Sequence, residues 1–248
     1  MDRLIHTALS AMRGAMARQA TTANNLANAN TAGFRAEMAN VRPLWITGEG
    51  FGSRAPASEE VTAADMTAGS VTATGRDLDV AIHGDGLLGV QSDDGEEAYT
   101  RRGDLSVSDS GLLVTGDGHP VLGDSGPITL PPYDKITIAD DGAISIVPQG
   151  ADPAAEPQLV DRLKIASPAG SRIVKALDGL FRVEGGGTLP SDPSAKVTSG
   201  SIEGSNVNTS QALVDMIDAS RSWDTQVRLL TTAKDLDSAS ADLMRLPD

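Results

Sequence analysis

The feature that most constrains this chain is where its helix breakers stand. Of 26 Gly and 13 Pro in 248 residues, 24 Gly and 11 Pro lie in residues 46–205. Residues 1–45 hold only Gly14, Gly33 and Pro43, and residues 206–248 only Pro247. Gly and Pro oppose long helices and favour turns. The distribution therefore predicts a helical segment at each end and a turn-rich body between. Charge divides the same way. The first segment is net +3 and the last net −3, so the body carries the whole −14 of the chain. An acidic balance of this size argues against nucleic acid as the main partner.

The N-terminal segment repeats with a helical period. Ile5, Leu9, Met12, Met16, Ala23 and Leu26 form a stripe broken only at Gln19, and Leu4, Ala8, Ala11 and Ala15 form a second row. This heptad-like pattern predicts a helix over about residues 3–28. Residues 28–33, Asn-Ala-Asn-Thr-Ala-Gly, stop it, with Gly33 suited to a positive φ. At the other end Asn208 is placed to cap a helix, with Gln211 at the N3 position of a capping box. Leu213, Met216, Trp223, Val227 and Leu230 then recur at helical spacing, and the stripe drifts to Leu229, Ala233, Leu236 and Leu243. The second helix is expected over about 210–245.

The middle alternates apolar and polar residues in short runs: Leu78/Val80/Ile82, Leu105/Val107, Leu112–Val114, Ile128/Leu130, Ile136/Ile138, Ile144/Ile146 and Phe181/Val183. Pairs such as Asp94-Gly95, Asp117-Gly118, Asp141-Gly142 and Asp178-Gly179 separate them. Such spacing predicts short antiparallel strands in a sandwich or barrel. Residues 148–157 and 185–193 read as surface loops. Aromatic residues are 3% of the chain, so its core must be aliphatic. No apolar run approaches the roughly 18 residues of a membrane span, and no basic-then-apolar leader pattern opens the chain. Cys is absent, which excludes disulfides and thiol chemistry.

Three motifs point to chemistry only superficially. Gly84-Asp85-Gly86-Leu87-Leu88-Gly89 has the spacing of a dinucleotide loop, but turn residues and not a helix follow it. Gly123-Asp124-Ser125-Gly126-Pro127 has the form of a serine-nucleophile segment, without a convincing base among His6, His83 and His119. The acidic turn Asp93–Glu97 lacks the alternating spacing of a calcium loop. No catalytic, cofactor or metal residues are assigned. The residue pattern favours a non-enzyme, with an enzyme or a non-catalytic, carbohydrate-binding type of β module as the rival.

Ala23-Asn24-Asn25-Leu26-Ala27-Asn28-Ala29-Asn30-Thr31-Ala32-Gly33-Phe34-Arg35 closely resembles the N-terminal motif of bacterial flagellar axial proteins, the rod, hook and hook-associated proteins. Thr74–Gly86, Tyr99–Gly103 and Gly111–Thr115 resemble the start of that family's β domain. Gly200–Asn208, followed by Met216-Ile217, Arg221, Trp223 and Gln226, resembles its C-terminal motif. Leu87, Leu88 and Leu105 depart from the pattern, standing where the family usually has aromatics. The opening Met1–Ile5 and the short, acidic stretch from Pro43 to Met66 resemble F-type proximal rod proteins, with the G-type distal rod protein as nearest rival.

The resemblance implies an α+β protein. Long N- and C-terminal helices pair as a coiled-coil-like bundle, and a central all-β domain of short antiparallel strands lies between them. The expected division is 1–35 (axial helix and motif), 36–75 (extended linker), 76–200 (β domain) and 201–248 (C-terminal helix). It implies a structural subunit of the basal-body rod, exported uncleaved through the flagellar type III apparatus. The subunit assembles helically with other rod proteins and copies of itself across the periplasm, transmitting torque from motor to hook, with no membrane insertion. The expected assembly residues are Leu9, Met12, Met16, Leu26, Leu213, Met216, Val227 and Leu230 in the helices. Asn24, Asn25, Asn28, Gly33, Phe34, Ser205, Asn206 and Val207 are expected at the motifs, the asparagines fixing turns and polar contacts.

Overall fold

A computed structural model describes residues 2–43, 57–152 and 156–244. The side chains of Leu4, Ile5, His6 and Leu243, and residues 44–56 and 153–155 of two expected connecting stretches, lie outside the described residues. In chain order the elements are α1 (Asp2–Ala27), β1 (Glu37–Pro43), β2 (Ala57–Ala64), β3 (Val71–Ala73), β4 (Val80–Ile82), β5 (Leu87–Gln91), β6 (Glu97–Thr100), β7 (Leu105–Val107) and β8 (Leu113–Thr115). Then come β9 (Tyr133–Ile138), β10 (Ala143–Pro148), β11 (Gln158–Arg162), β12 (Ile165–Ala166), β13 (Ile173–Lys175), β14 (Phe181–Val183), β15 (Val197–Ser199), β16 (Ser201–Glu203) and α2 (Thr209–Met244). The chain is α+β, with a helix at each end and a mostly β middle, as its helix breakers predict. Residues 36–75, expected as an extended linker, carry β1, β2 and β3.

The chain divides into two compact units. The first holds residues 1–27, 37–63 and 208–248. Here α1 and α2 pack against one another, α1 also packs on β1, and β1 pairs with β2. Thr21, Thr22 and Asn25 near the end of α1 share a groove with Asp215, Asp218, Ala219 and Ser222 near the start of α2, so the helices run antiparallel. Asn208 caps α2: its Oδ1 accepts the Gln211 N–H at 3.1 Å. The box does not close from the other side, because the Gln211 side chain donates instead to Asp215 at 2.8 Å.

The second unit holds residues 28–36 and 64–207. A five-stranded sheet in the order β12-β5-β6-β14-β13 and a three-stranded sheet β11-β10-β9 are joined by the ribbons β4-β15, β3-β16 and β7-β8. Their registered pairings are antiparallel. Strand β5 is covered on both faces. Leu88 and Val90 face an aliphatic core with Val80, Leu105, Leu113, Val121, Ile128, Ile138, Ile144 and Ile146. Leu87 faces a smaller cluster with Tyr99, Ala166, Phe181 and Leu189. The consecutive leucines at 87 and 88 thus fill two cores from one strand, as alternation of side chains along a strand requires. Fully burying an aliphatic side chain contributes about 1.5–3 kcal/mol, so a chain poor in aromatics can still hold this body.

Candidate functional site

The helix pair is the first place where the sequence pattern and the structure differ. The residues buried along α1 are Ala8, Gly14, Ala15 and Thr21, and along α2 Ala212, Ala219 and Ala233. Ala8 and Ala15 are seven apart, as are Ala212 and Ala219, and Ala233 keeps the same interval two heptads on. Small side chains let two helix backbones approach closely, and a seven-residue interval keeps them on one line. The large apolar residues expected at the seam stand beside it. Met12, Leu26, Met216 and Leu230 are half-buried, while Leu9, Met16, Leu213 and Val227 are exposed. The exposed four therefore do not fill the contact between α1 and α2. Alanine fills the close contact, and a Leu or Met there would force the axes apart.

Those large residues still share a surface. At about 100° per residue, Leu9 and Met16 lie roughly 80–100° round α1 from Ala8, and Leu213 and Val227 roughly 60–100° round α2 from Ala212. In an antiparallel pair, equal rotations away from the seam fall on the same side. Leu9, Met12 and Met16 on α1 and Leu213, Met216 and Val227 on α2 therefore lie to one side of the seam as an apolar flank, while Leu230, five full turns on from Ala212, lies on the seam line itself. Met16 and Leu213 are each more than half exposed there.

The second site lies in the body, where Glu203 gathers three distant stretches of chain. Its Oε1 accepts from the Gly69 N–H at 2.8 Å and pairs with Arg35 Nη2 at 2.7 Å. Its Oε2 accepts from Arg101 Nε at 2.9 Å and from Arg101 Nη2. Its backbone carbonyl accepts the Gly33 N–H at 2.7 Å. All three charged side chains are 2% exposed. Arg101 is held independently by the carbonyls of Ile82, Gly84 and Gly86. Burial alone pushes the Glu203 carboxyl up. Arg101, the Arg35 hydrogen bond and the Gly69 amide outweigh it and hold the group below its ordinary value of 4.5.

Three residues further on, Asn206 closes the clasp. Its Oδ1 accepts the Ala36 N–H at 2.7 Å, and its Nδ2 donates to the carbonyls of Asp65 and Thr67 at 2.8 and 3.0 Å. Gly33 has φ +64, and a Cβ there would sit on the Arg101 carbonyl. Phe34 is half-buried, with Lys175 Nζ 3.7 Å above its ring, and Lys175 also donates to the Arg35 carbonyl at 3.1 Å. Ser205 Oγ accepts the Val207 N–H, a local turn contact. Asn28 accepts from Thr31 through both its side chain and its carbonyl, which shapes the turn after α1. In the first unit, Asn25 donates to the Glu37 carbonyl and accepts the Glu37 N–H at 2.9 and 2.8 Å, fixing the start of β1. Asn24 is exposed.

Arg35, Arg101 and Glu203 lie inside recognisable motifs, but their neighbours in the chain give none of them a role. A weak signal was present: in Ser201-Ile202-Glu203, strand alternation puts Glu203 on the same side as the buried Ser201. The superficially chemical motifs resolve as backbone features. After Gly89 the chain continues as strand to Gln91. In the Gly123 segment, Leu122 bridges Pro127 and the Gly123 N–H donates to the Gly126 carbonyl, a tight turn. Asp94 accepts from Ser92 and from the Glu96 N–H within its own turn. Among the described residues no group of His, Asp or Glu is arranged to hold a metal.

Comparison with known proteins finds family matches at three places along the chain. Residues 5–35 match the family model for flagella basal body rod protein. Residues 81–146 match that for the flagellar hook protein FlgE/F/G D1 domain, and 198–243 that for the flagellar basal body rod FlgEFG protein C-terminal region. The chain is similar to the flagellar basal-body rod protein FlgF of Salmonella typhimurium, at 40% identity over 99% of this chain and 100% of that one. It is 42% identical to FlgF of Escherichia coli over 95% of each chain. Against the flagellar basal-body rod protein FlgG of Bacillus subtilis it is 29% identical, over 99% of this chain and 100% of that one.

Proposed function

The chain belongs to the bacterial flagellar basal-body rod family as an F-type member, and we propose that it enters the rod through the apolar flank of its two terminal helices. Its role is structural and non-catalytic, as a rod subunit assembling with other rod proteins. The G-type reading has less support, because the FlgG relative aligns at 29% against 40–42% for the two FlgF proteins. Passage through the type III export apparatus, a position crossing the periplasm and torque transfer from motor to hook belong to the same proposal. The helices are proposed to act as a coiled-coil-like pair that neighbouring subunits cover.

The observation that carries this reading is the split between seam and flank. Alanines already satisfy the contact within the chain, which leaves Leu9, Met16, Leu213 and Val227 to water. Each is about half exposed, so covering it adds roughly 1 kcal/mol, taking half of the value for complete burial. Several such residues on one side suffice to drive association once neighbours meet them. The test is Leu213→Asp in a strain lacking the native gene. Isolated basal bodies should lack the variant and cells should not swim. The purified variant should melt within about 2 °C of the parent, because exposed substitutions usually change stability by less than 0.5 kcal/mol. Normal motility with the variant present in rods would refute the flank as the assembly surface.

A further inference from the structure

The clasp holds a charge imbalance. Arg35 and Arg101 are both buried against a single carboxylate, and the Arg35 charge acts unfavourably on Arg101. Asp85, which also acts on Arg101, is exposed. The two guanidiniums are not held alike. Arg101 donates to Glu203 and to three carbonyls, whereas Nε and Nη1 of Arg35 are buried with no hydrogen-bond partner among the described residues. A buried donor left unmade carries the full loss of its hydration, and a buried cation carries more. Removing Arg35 from the cluster would leave a neutral, well-bonded Arg101–Glu203 pair.

From this asymmetry we propose that residues 31–36 form a strap that releases from the body as a unit while the Arg101–Glu203 pair stays closed. The strap is held by Gly33 N–H to the Glu203 carbonyl, Ala36 N–H to Asn206, Asn206 N–H to the Phe34 carbonyl, Asp65 N–H to the Ala36 carbonyl, Lys175 to the Arg35 carbonyl and the Phe34 ring, and the single Arg35 Nη2–Glu203 contact. It buries little apolar surface of its own, since Phe34 is only half-buried. The burial of Arg35 Nε and Nη1 works against those bonds, and on release both nitrogens regain water. The strap follows α1 in the chain after residues 28–30, and its release leaves the body folded. The value of such a joint during rod growth rests on the reading above; the release itself does not, and is measured on the free chain.

Hydrogen exchange of the full-length monomer, resolved to single amides, tests it. The Gly33 and Ala36 amides should exchange at least about a hundredfold faster than Leu88 and Val90, whose exchange needs opening of the core. In Arg35→Met, of similar length and without charge, the strap amides should slow by about tenfold, because replacing a frustrated buried charge with an apolar side chain strengthens the docked state. Strap amides exchanging at the core rate would overturn the proposal. So would unchanged or faster strap exchange in Arg35→Met, or failure of that variant to fold, since either would make Arg35 a net support of the strap.

Discussion

Replacing Glu203 by Gln keeps its shape and removes its charge, which isolates what the carboxylate does in the clasp. The native carboxylate faces two guanidiniums, each 2% exposed, and accepts four hydrogen bonds from Arg35, Arg101 and Gly69. With Gln, two buried cations remain with no counter-charge in contact. Removing one partner of a buried ion pair costs about 3–5 kcal/mol, mostly through the uncompensated charge it leaves. For a domain of this size 1 kcal/mol moves Tm by about 2–4 °C, so the expected drop is roughly 6–20 °C. Urea unfolding followed at the strand band of the circular dichroism spectrum gives the free energy directly, as a lower midpoint with unchanged slope. Arg35→Met in the Glu203→Gln background should return part of the loss, with a coupling of about 0.5–3 kcal/mol, because it removes one of the stranded cations. A loss below about 1 kcal/mol in Glu203→Gln, or no coupling to Arg35, would refute the claim that the carboxylate balances both arginines.

The same group sets an acid limit. The folded-state value of Glu203 lies below 4.5, so its stabilisation is complete above that pH and drains as pH falls through the lower folded value. Urea midpoints measured from about pH 6 downward should decline less steeply in Glu203→Gln than in the parent. Gly33→Ala should cost more than about 2 kcal/mol, combining a left-handed φ with a collision at the Arg101 carbonyl. Gly95→Ala, at φ +83 in open space, should cost only about 1 kcal/mol, and equal losses in the two melts would deny the collision. Ala15→Leu should destabilise the helix pair by about 1–3 kcal/mol through overpacking, read as an earlier loss of helical signal on heating.

The helices and the strands β4, β7, β8, β9, β10 and β14 are legible because they depend on local facts: absent breakers, periodic apolar residues and Asp-Gly turns. The ends observed for α1 and α2 differ from those expected by a single residue. The seam was less legible for a physical reason. Periodicity weights large side chains, yet a close helix contact selects small ones: Ala8 and Ala15 stand out only as a secondary row, and Ala212 and Ala219 fall outside the apolar stripe of α2. Glu203 was hidden differently. Its partners stand 168 and 102 positions away, and nothing local marks a charged residue whose strand face is covered only when the chain returns to it.

Why a buried ion cluster should stand here, where aliphatic packing would be at least as stable, follows from what the clasp must do. Apolar contacts tolerate slippage, since one methyl group packs nearly as well as its neighbour. A carboxylate between two guanidiniums and an amide has one satisfactory placement, and a shift of one residue along β16 would turn Glu203 to the other face of its ribbon. Asn206 repeats the demand three residues later by requiring the Ala36 N–H on one side and the Asp65 and Thr67 carbonyls on the other. Charge therefore sets register where the strands are short: β3 and β16 have three residues each, too few for hydrophobic alternation to specify a pairing. Residues 33–36, held by this cluster, follow α1 and its closing turn, and β16 with Asn206 precedes α2. The cost of burying Arg35 falls on the strap alone, because Arg101 has carbonyl partners of its own. The cluster can thus specify one docked position for residues 31–36 without making that position the most tightly held part of the body.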